Sequence, residues 1–429
     1  MTLNVTRHFS ERSKGMRASE VRELLKLLQV PDMISFAGGF PNPETFPAEI
    51  IREIVNDVLK KDGGQALQYG ITEGYAPLRE SVAERMRKKH IDADKENILI
   101  VSGSQQVIDL MGKVFIDPRD TVVVSAPTYL AALTGFGAMQ ASFESIPIDK
   151  NNMRMDIFED RMKKLAKRSN PPEIVYALPN FQNPAGVTMP EKNRKRLVDL
   201  ASDYDFIILE DDPYGELRYV GEHIDPIKSF DDEGRVVYCS TFSKVMSPGL
   251  RVGWVVADPE ILKKLIISKQ STDVCTNVLG QRIAHEYVAR GHIDPQIEKI
   301  KKVYKRKMEL MLQGMDEFMP EGIKWMRPEG GMFLWVELPE SIDSDELLKK
   351  ALKKRVAFVT GKAFYADPKD GLHTMRLNFT HPADQVITEG LRRLGSVVNQ
   401  EIVSKWDRSA ESDDRKLEDA LKGSLIGKS

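Results

Sequence analysis

Only two cysteines, Cys239 and Cys275, occur in 429 residues. They lie far apart and form no C-x-x-C, so neither a disulfide framework nor a cysteine zinc site follows, and a reducing compartment is the expectation. The seven histidines are scattered without metal-ligand spacing. An excess of charge is missing too. Sixty-two Lys and Arg face 64 Asp and Glu, for a net charge of −2, which gives nucleic acid or an anionic membrane no reason to bind. No apolar run approaches the ~20 residues of a membrane span. The opening MTLNVTRHFSERSKGMR is polar and charged, unlike a signal peptide. A cytoplasmic chain with no membrane and no nucleic-acid partner is expected. Internal repeats and low-complexity segments are absent, as are the P-loop, H-E-x-x-H and G-x-S-x-G motifs.

What is present is a large apolar fraction, 41%, ample for a core shared by two or three domains. Residues up to about 30 read as an N-terminal arm with a short amphipathic helix, SEVRELLKLL. A loop dense in Gly and Pro follows, ISFAGGFPNPETFP (34–47). From about 97, short apolar runs alternate with helical stretches. The runs are ILIV (98–101), TVVVSAP (121–127), EIVYALP (173–179), FIILEDD (206–212), RVVYCST (235–241) and RVGWVVAD (251–258). Their unbroken Val and Ile content suits strands buried on both faces. Between the first two, QQVIDLMGKVF places Val107, Leu110, Met111 and Val114 on one helical face. This is the pattern of an α/β domain with a mostly parallel sheet flanked by helices. A Lys- and Glu-rich helical region at about 277–315 precedes GGMFLWVEL, VAFVTG and TMRLNFT, the strands of a smaller α+β unit. The expected division is 1–46 arm and part of the small domain, 47–305 large domain, 306–400 small domain, and 401–429 a polar tail, helical in part or disordered.

In open α/β sheets, ligands gather beyond the carboxyl ends of the strands. After ILIV come Ser102, Gly103, Ser104 and Gln105 at a helix start, which either aim backbone N–H groups at an anion or only cap the helix. After TVVVSAP comes Tyr129, a stacking platform or a lid on the sheet end. Asn183, in NFQNPAG, is a turn residue before Pro184 or an amide aimed at a ligand. Glu210, Asp211, Asp212 and Tyr214 are a solvated turn, or carboxylates and a phenol for one ligand. After RVVYC come Thr241, Ser243, Lys244 and, seven residues on, Arg251. These are ordinary polar groups, or hydroxyls, a nucleophilic amine and a phosphate fork. Each signal is weak alone. Together five strand ends supply what a flat, phosphorylated, pyridine-ring aldehyde needs, which is the binding economy of pyridoxal 5′-phosphate (PLP).

With those residues in place, the sequence resembles the class I and II aminotransferases of PLP fold type I. Within them it is similar to the 2-aminoadipate, kynurenine and aromatic (multisubstrate) subgroup. The resemblance covers about residues 15–398 and rests on ISFAGGFPNPETFP, LQYGITEGYAPLRE, GSQQ, PTY, NPAGVT, EDDPYGEL, STFSKVMSPGLRVGW, GGMFLW and MRLNFT. It implies a seven-stranded, mostly parallel sheet in the large domain, and a homodimer with shared active sites. It further implies Lys244 as the Schiff-base lysine and proton shuttle, and Asp211 as partner of the pyridinium nitrogen, since the family's carboxylate stands three residues before the tyrosine, here Tyr214. By the same resemblance Tyr214 and Asn183 bind the phenolic oxygen and Tyr129 stacks on the ring. Ser104, Gln105, Thr241, Ser243 and Arg251 bind the phosphate, and Tyr69 reaches the partner subunit's cofactor. Thr241 stands where many members carry serine, and the hydroxyl is kept. Arg376 clamps the substrate carboxylate beside the Gly39 backbone.

For the side chain of the substrate, Arg22 is the candidate partner of a distal carboxylate, with Arg17 behind it, unless both are solvated helix residues. The implied reaction moves an amino group from 2-aminoadipate, an aromatic or a branched-chain amino acid to a 2-oxo acid such as 2-oxoglutarate, by ping-pong kinetics. A PLP-dependent lyase is the alternative. A regulator using this fold behind a DNA-binding domain is not expected, because such a domain needs ~60 further residues and a basic face.

Overall fold

The computed structural model describes residues 5–14, 31–167 and 171–426. The runs read as strands form strands: β2 (Ile98–Val101), β3 (Thr121–Ala126), β6 (Pro172–Ala177), β7 (Ile207–Asp211), β8 (Val236–Thr241) and β9 (Gly253–Val256). They are preceded by a short strand β1 (Ile34–Ser35), and β4 (Ser142–Asp149) and β5 (Asn152–Met153) lie between β3 and β6. The large sheet has the order β2-β9-β8-β7-β6-β3-β4-β5. Strands β8 through β4 in that order pair in parallel. Strand β9 runs against both β2 and β8. The sheet thus has the seven strands expected and an eighth, since the two residues of β5 turn back antiparallel on β4.

Alternation along each strand sends neighbours to opposite faces, and the two faces have separate cores. Val122, Val124, Ile174, Tyr176, Leu209, Val237 and Cys239 join the core under the helices Ser104–Phe115 and Pro259–Asp273. Val123, Val175, Ala177, Ile208 and Val236 join the opposite core, under the helices Met155–Lys167 and Glu191–Tyr204. A sheet covered on both faces needs continuous apolar strands, hence the Val- and Ile-rich runs.

The smaller unit carries β10 (Lys324–Trp325), β11 (Phe333–Glu337), β12 (Val356–Ala357), β13 (Val359–Thr360) and β14 (Thr374–Asn378). Four of these form an antiparallel sheet, β10-β11-β14-β13. The remaining one, β12, pairs in parallel with β1, Ile34 opposite Val356, so the segment after the N-terminal arm is stitched into the C-terminal unit. The helix Ile293–Phe318 runs through position 305, where the division between the two units was expected. Its far end packs on the helix Asp384–Ile426, closely enough that a side chain at Gly314 would meet Leu391. That last helix continues through residues 401–426, the stretch expected as a polar tail, helical in part or disordered. No helix among the described residues is long and apolar enough to cross a membrane.

Candidate active site

The carboxyl ends of β3, β6, β7 and β8 open on one edge of the sheet. Because β9 opposes both its neighbours, the end of β2 and the start of β9 lie on that same edge. This brings Ser104, Tyr129, Asn183, Asp211, Lys244 and Arg251 together, although 147 positions separate the first from the last.

The two adjacent carboxylates are separated by the pleat. Asp211 continues the face of Leu209, Tyr176 and Cys239, and its register partner on β8 is Cys239. Tyr176 donates its hydroxyl to Asp211 Oδ2 at 2.8 Å, and Cys239 its thiol to Oδ1 at 3.5 Å. Asp212 turns to the other face, where Asn180 Nδ2 (2.8 Å) and the Tyr238 hydroxyl (3.0 Å) donate to it. Arg194 in turn donates to Asn180 Oδ1 at 2.7 Å. Glu210 is also buried and accepts the backbone N–H groups of Ile227 and Lys228, both at 2.8 Å. Asp212 and Glu210 are therefore committed to the frame. Burial pushes Asp211 up to about 6, against the hydrogen bonds of Tyr176 and Cys239 and the charge of Lys244, which favour the carboxylate.

On one side of Asp211 lies a turn whose donors could cradle an anion. Gly103, at φ +81°, precedes the helix Ser104–Phe115 and gives it no side-chain cap, so the first amides are left to another acceptor. A Cβ at Gly103 would come within 2.4 Å of Arg251 Nη2. Arg251 itself adopts a left-handed conformation, φ +54°. Its guanidinium reaches the Ser102 carbonyl (3.0 Å) and Ser243 Oγ (3.4 Å). The Thr241 hydroxyl donates to the Val252 carbonyl (3.1 Å) and accepts the Ser243 N–H (3.1 Å), with Ser243 Oγ 2.8 Å away. In this arrangement Thr241 orients the buried Ser243, and Arg251 is exposed beside it. Gln105 is exposed beside them, in the pocket that Ser102 and Arg251 also line.

On the other side lies Lys244, in the turn Phe242–Lys244 that closes β8. Its ammonium donates to the Gly39 carbonyl at 3.3 Å. Burial, then the nearby charges of Arg376 and Arg251, bring this amine down to about 8, with Asp211 opposing. Arg376, in the middle of β14, is 2% exposed. It donates to Asn183 Oδ1 (2.9 Å) and to the Ala37 carbonyl (3.0 Å) and lies against the rings of Phe333 and Phe364. Its Nε has no partner, and no Asp or Glu among the described residues pairs with it. Asn183 also bonds the Tyr214 hydroxyl, whose ionisation burial pushes well up. Tyr129 is held neutral likewise, burial and then Asp211 raising it to about 12.

The donor set fits a phosphorylated pyridine aldehyde. One buried carboxylate, two neutral phenols, an amide, an amine lowered toward neutrality and a turn able to take an anion lie together at one edge of the sheet. One expected residue, Tyr69, is not brought to it by this chain alone. Tyr69 is 81% exposed, on a surface shared with Leu67 and Ile71. Arg22 and Arg17 lie outside the described residues. Tyr176, Cys239 and Gln106 were not expected at all. Only the strand register identifies the first two, and Gln106 hydrogen-bonds the Ser102 N–H (2.8 Å) from inside the cradle. No group of metal-ligating side chains occurs among the described residues.

Comparison with known proteins agrees with this geometry. The sequence signature of the family Aminotransferase class I and II matches residues 31–394. Aromatic-amino-acid aminotransferase 1 of Thermococcus litoralis is 53% identical over 402 residues, 94% of this chain and 96% of its own. The crystal structure of a kynurenine aminotransferase from Pyrococcus horikoshii, in complex with PMP, superposes with a TM-score of 0.90 at 52% identity, covering 93% of this chain and 98% of that one. The α-aminoadipate aminotransferase of Thermus thermophilus, complexed with N-(5′-phosphopyridoxyl)-L-leucine, does so with a TM-score of 0.86 at 37% identity, covering 94% and 100%. The chain belongs to the class I and II aminotransferases, with the α/β architecture of PLP fold type I. It is an enzyme of amino-group transfer, and its cofactor is pyridoxal 5′-phosphate.

Proposed function

We propose that this aminotransferase takes amino groups from L-amino acids with aromatic, 2-aminoadipate or branched-chain side chains and passes them to a 2-oxo acid such as 2-oxoglutarate. The cycle is ping-pong, and the enzyme is a cytoplasmic homodimer with shared active sites. The observation that carries the reading is Arg376: a buried, fixed guanidinium with an unpartnered Nε and only neutral acceptors, beside a lysine of lowered pKa. A buried cation of this kind is costly unless an anion completes it, and an α-carboxylate would dock there bidentately. The names of the similar proteins, aromatic-amino-acid, kynurenine and α-aminoadipate aminotransferases, support the breadth of donors.

Bound PLP supplies an electron-accepting ring and the carbon that carries the amino group. Lys244 is the nucleophilic amine. A pKa of about 8 leaves part of it unprotonated near neutrality, ready to take the α-carbon proton and return it, a transfer worth ~10²- to 10⁴-fold. Asp211, anchored by Tyr176, would hold a protonated ring nitrogen. Tyr214 and Asn183 would bind the phenolic oxygen, and Tyr129 would cover the ring. Ser104, Gln105, Ser243 and Arg251 would bind the phosphate, with Thr241 orienting Ser243 and Tyr69 reaching the partner's site. Arg376 and the Gly39 carbonyl flank the substrate. Arg22 remains the candidate for a distal carboxylate.

The test is a donor panel with 2-oxoglutarate: 2-aminoadipate, kynurenine, phenylalanine, leucine and aspartate. Glutamate and the donor's 2-oxo acid should form one to one with several of the first four. Activity confined to aspartate would contradict the proposed breadth, and product without glutamate would indicate a lyase.

A further inference from the structure

We infer that Asp273 is a positioning residue for the phosphate cradle: through Ser102 and Gln106 it fixes the turn that holds Arg251 and the uncapped start of the helix Ser104–Phe115. The inference rests on the reading of that turn as the phosphate site.

The connections are direct. Asp273 Oδ2 accepts from Ser102 Oγ (3.0 Å) and Gln106 Nε2 (2.8 Å). Gln106 Oε1 accepts the Ser102 N–H at 2.8 Å, and the Ser102 carbonyl accepts from Arg251 Nη2 at 3.0 Å. Asp273 thus holds the Ser102 hydroxyl and the Gln106 side chain that accepts the Ser102 N–H, and the Ser102 carbonyl holds the arginine. The other oxygen, Oδ1, accepts from Lys269 Nζ at 2.6 Å, whose side chain is fully buried. Burial alone would raise the Asp273 pKa, but the hydrogen bonds from Lys269, Gln106 and Ser102 outweigh it and keep the carboxyl ionised.

Local preferences argue against an aspartate here. Asp273 ends the helix Pro259–Asp273, where the macrodipole disfavours a carboxylate. The next residue, Val274, is β-branched yet adopts φ +63°, ψ −58°, a conformation in which it is a true outlier. It sits in a γ-turn of the strained hand, closed by the Cys275 N–H on the Asp273 carbonyl at 2.6 Å. A carboxylate at the wrong helix end, followed by a strained valine, persists only where surrounding contacts impose it. The contacts of the carboxylate's Oδ2 lead to the cradle.

Without the carboxylate, Ser102 Oγ and Gln106 Nε2 lose their common acceptor, and the carbonyl that fixes Arg251 is released. The phosphate would feel this and the pyridine ring would not. The test therefore compares two ligands on the full-length, cofactor-stripped protein: PLP, and pyridoxal, which lacks the phosphate. Asp273→Ala should weaken PLP binding about tenfold or more, the worth of one charge-assisted hydrogen bond, and leave pyridoxal binding within about twofold by the same scale. Asp273→Asn, which keeps one acceptor, should lie between. Because Asp273→Ala strands the buried Lys269 charge, Lys269→Met/Asp273→Ala is measured beside it and should show the same selective loss. An unchanged PLP affinity, or an equal loss for both ligands, overturns the inference. If the wild-type protein itself does not prefer PLP to pyridoxal, the cradle reading fails instead, and the inference falls with it.

Discussion

At the end of β7 the pleat turns Asp211 toward Tyr176 and Cys239, and Asp212 toward Asn180 and Tyr238. In the sequence, spacing to Tyr214 is the ground for choosing Asp211, while the register is what gives the two aspartates different surroundings. Tyr176 and Cys239 could not be found that way, because their roles depend on which strands adjoin β7. Tyr176 stabilises the charged form of Asp211, so Tyr176→Phe should raise the Asp211 pKa above its value of about 6. The acid limb of the kcat/KM profile should move to higher pH, with activity at pH 7 lower by about tenfold. An unmoved limb would contradict this role. Lys244 makes a second prediction, for the cofactor-free protein. Its folded pKa is depressed from 10.5 to about 8, so the unfolded chain binds the extra proton between those values. Carrying the charge destabilises the fold below pH 8, and that penalty disappears as pH rises toward 10.5. Lys244→Met keeps the apolar stem. It should be more stable than wild type at pH 7 by on the order of 1–2 kcal/mol, with the gap closing by pH 10.5. Denaturant unfolding across that range measures it, and a variant less stable at pH 7 contradicts it.

At the scale of elements, the strands buried on both faces were legible because nothing in them needs to be polar. Strand β4, SFESIPID, was not named among the runs. It lies near the sheet edge, where most of its side chains are partly or fully exposed, and so it lacks an apolar run. The sequence alone leaves the extent of the helix beyond residue 401 open in a similar way, since charge-rich composition suits a solvated helix and a disordered tail alike. The turn between β2 and the helix Ser104–Phe115 was legible as small residues at a helix start. Glycine suits it in space and in backbone, because a Cβ at Gly103 would come within 2.4 Å of Arg251 Nη2 and φ there is +81°. Gly103→Ala should therefore displace Arg251, strain φ, and weaken PLP binding by at least about tenfold. Titration of the stripped protein with PLP checks this, and wild-type affinity would show that the cradle tolerates the shift.

For the whole molecule, the site joins the carboxyl edge of the large sheet to β14 of the smaller unit, through Arg376 and the 37–39 backbone. Leu67, Tyr69 and Ile71 remain on the surface, 72%, 81% and 58% exposed, which supports the proposed homodimer. If Tyr69 serves the partner's site, Tyr69→Phe and Lys244→Ala lie in different subunits of each active site. Unfolding and refolding the two variants together should then restore activity above the sum of the separate samples, because each hybrid carries one intact site. Activity equal to that sum contradicts the sharing of sites.

The central claim is that Lys244 is the amine on which the chemistry turns. The direct measurement is borohydride reduction of the PLP-loaded enzyme, followed by peptide mapping by mass spectrometry. The account predicts a phosphopyridoxyl group on Lys244, in the peptide containing STFSK, and none in the Lys244→Ala protein. A label on another lysine in the wild-type enzyme would contradict it.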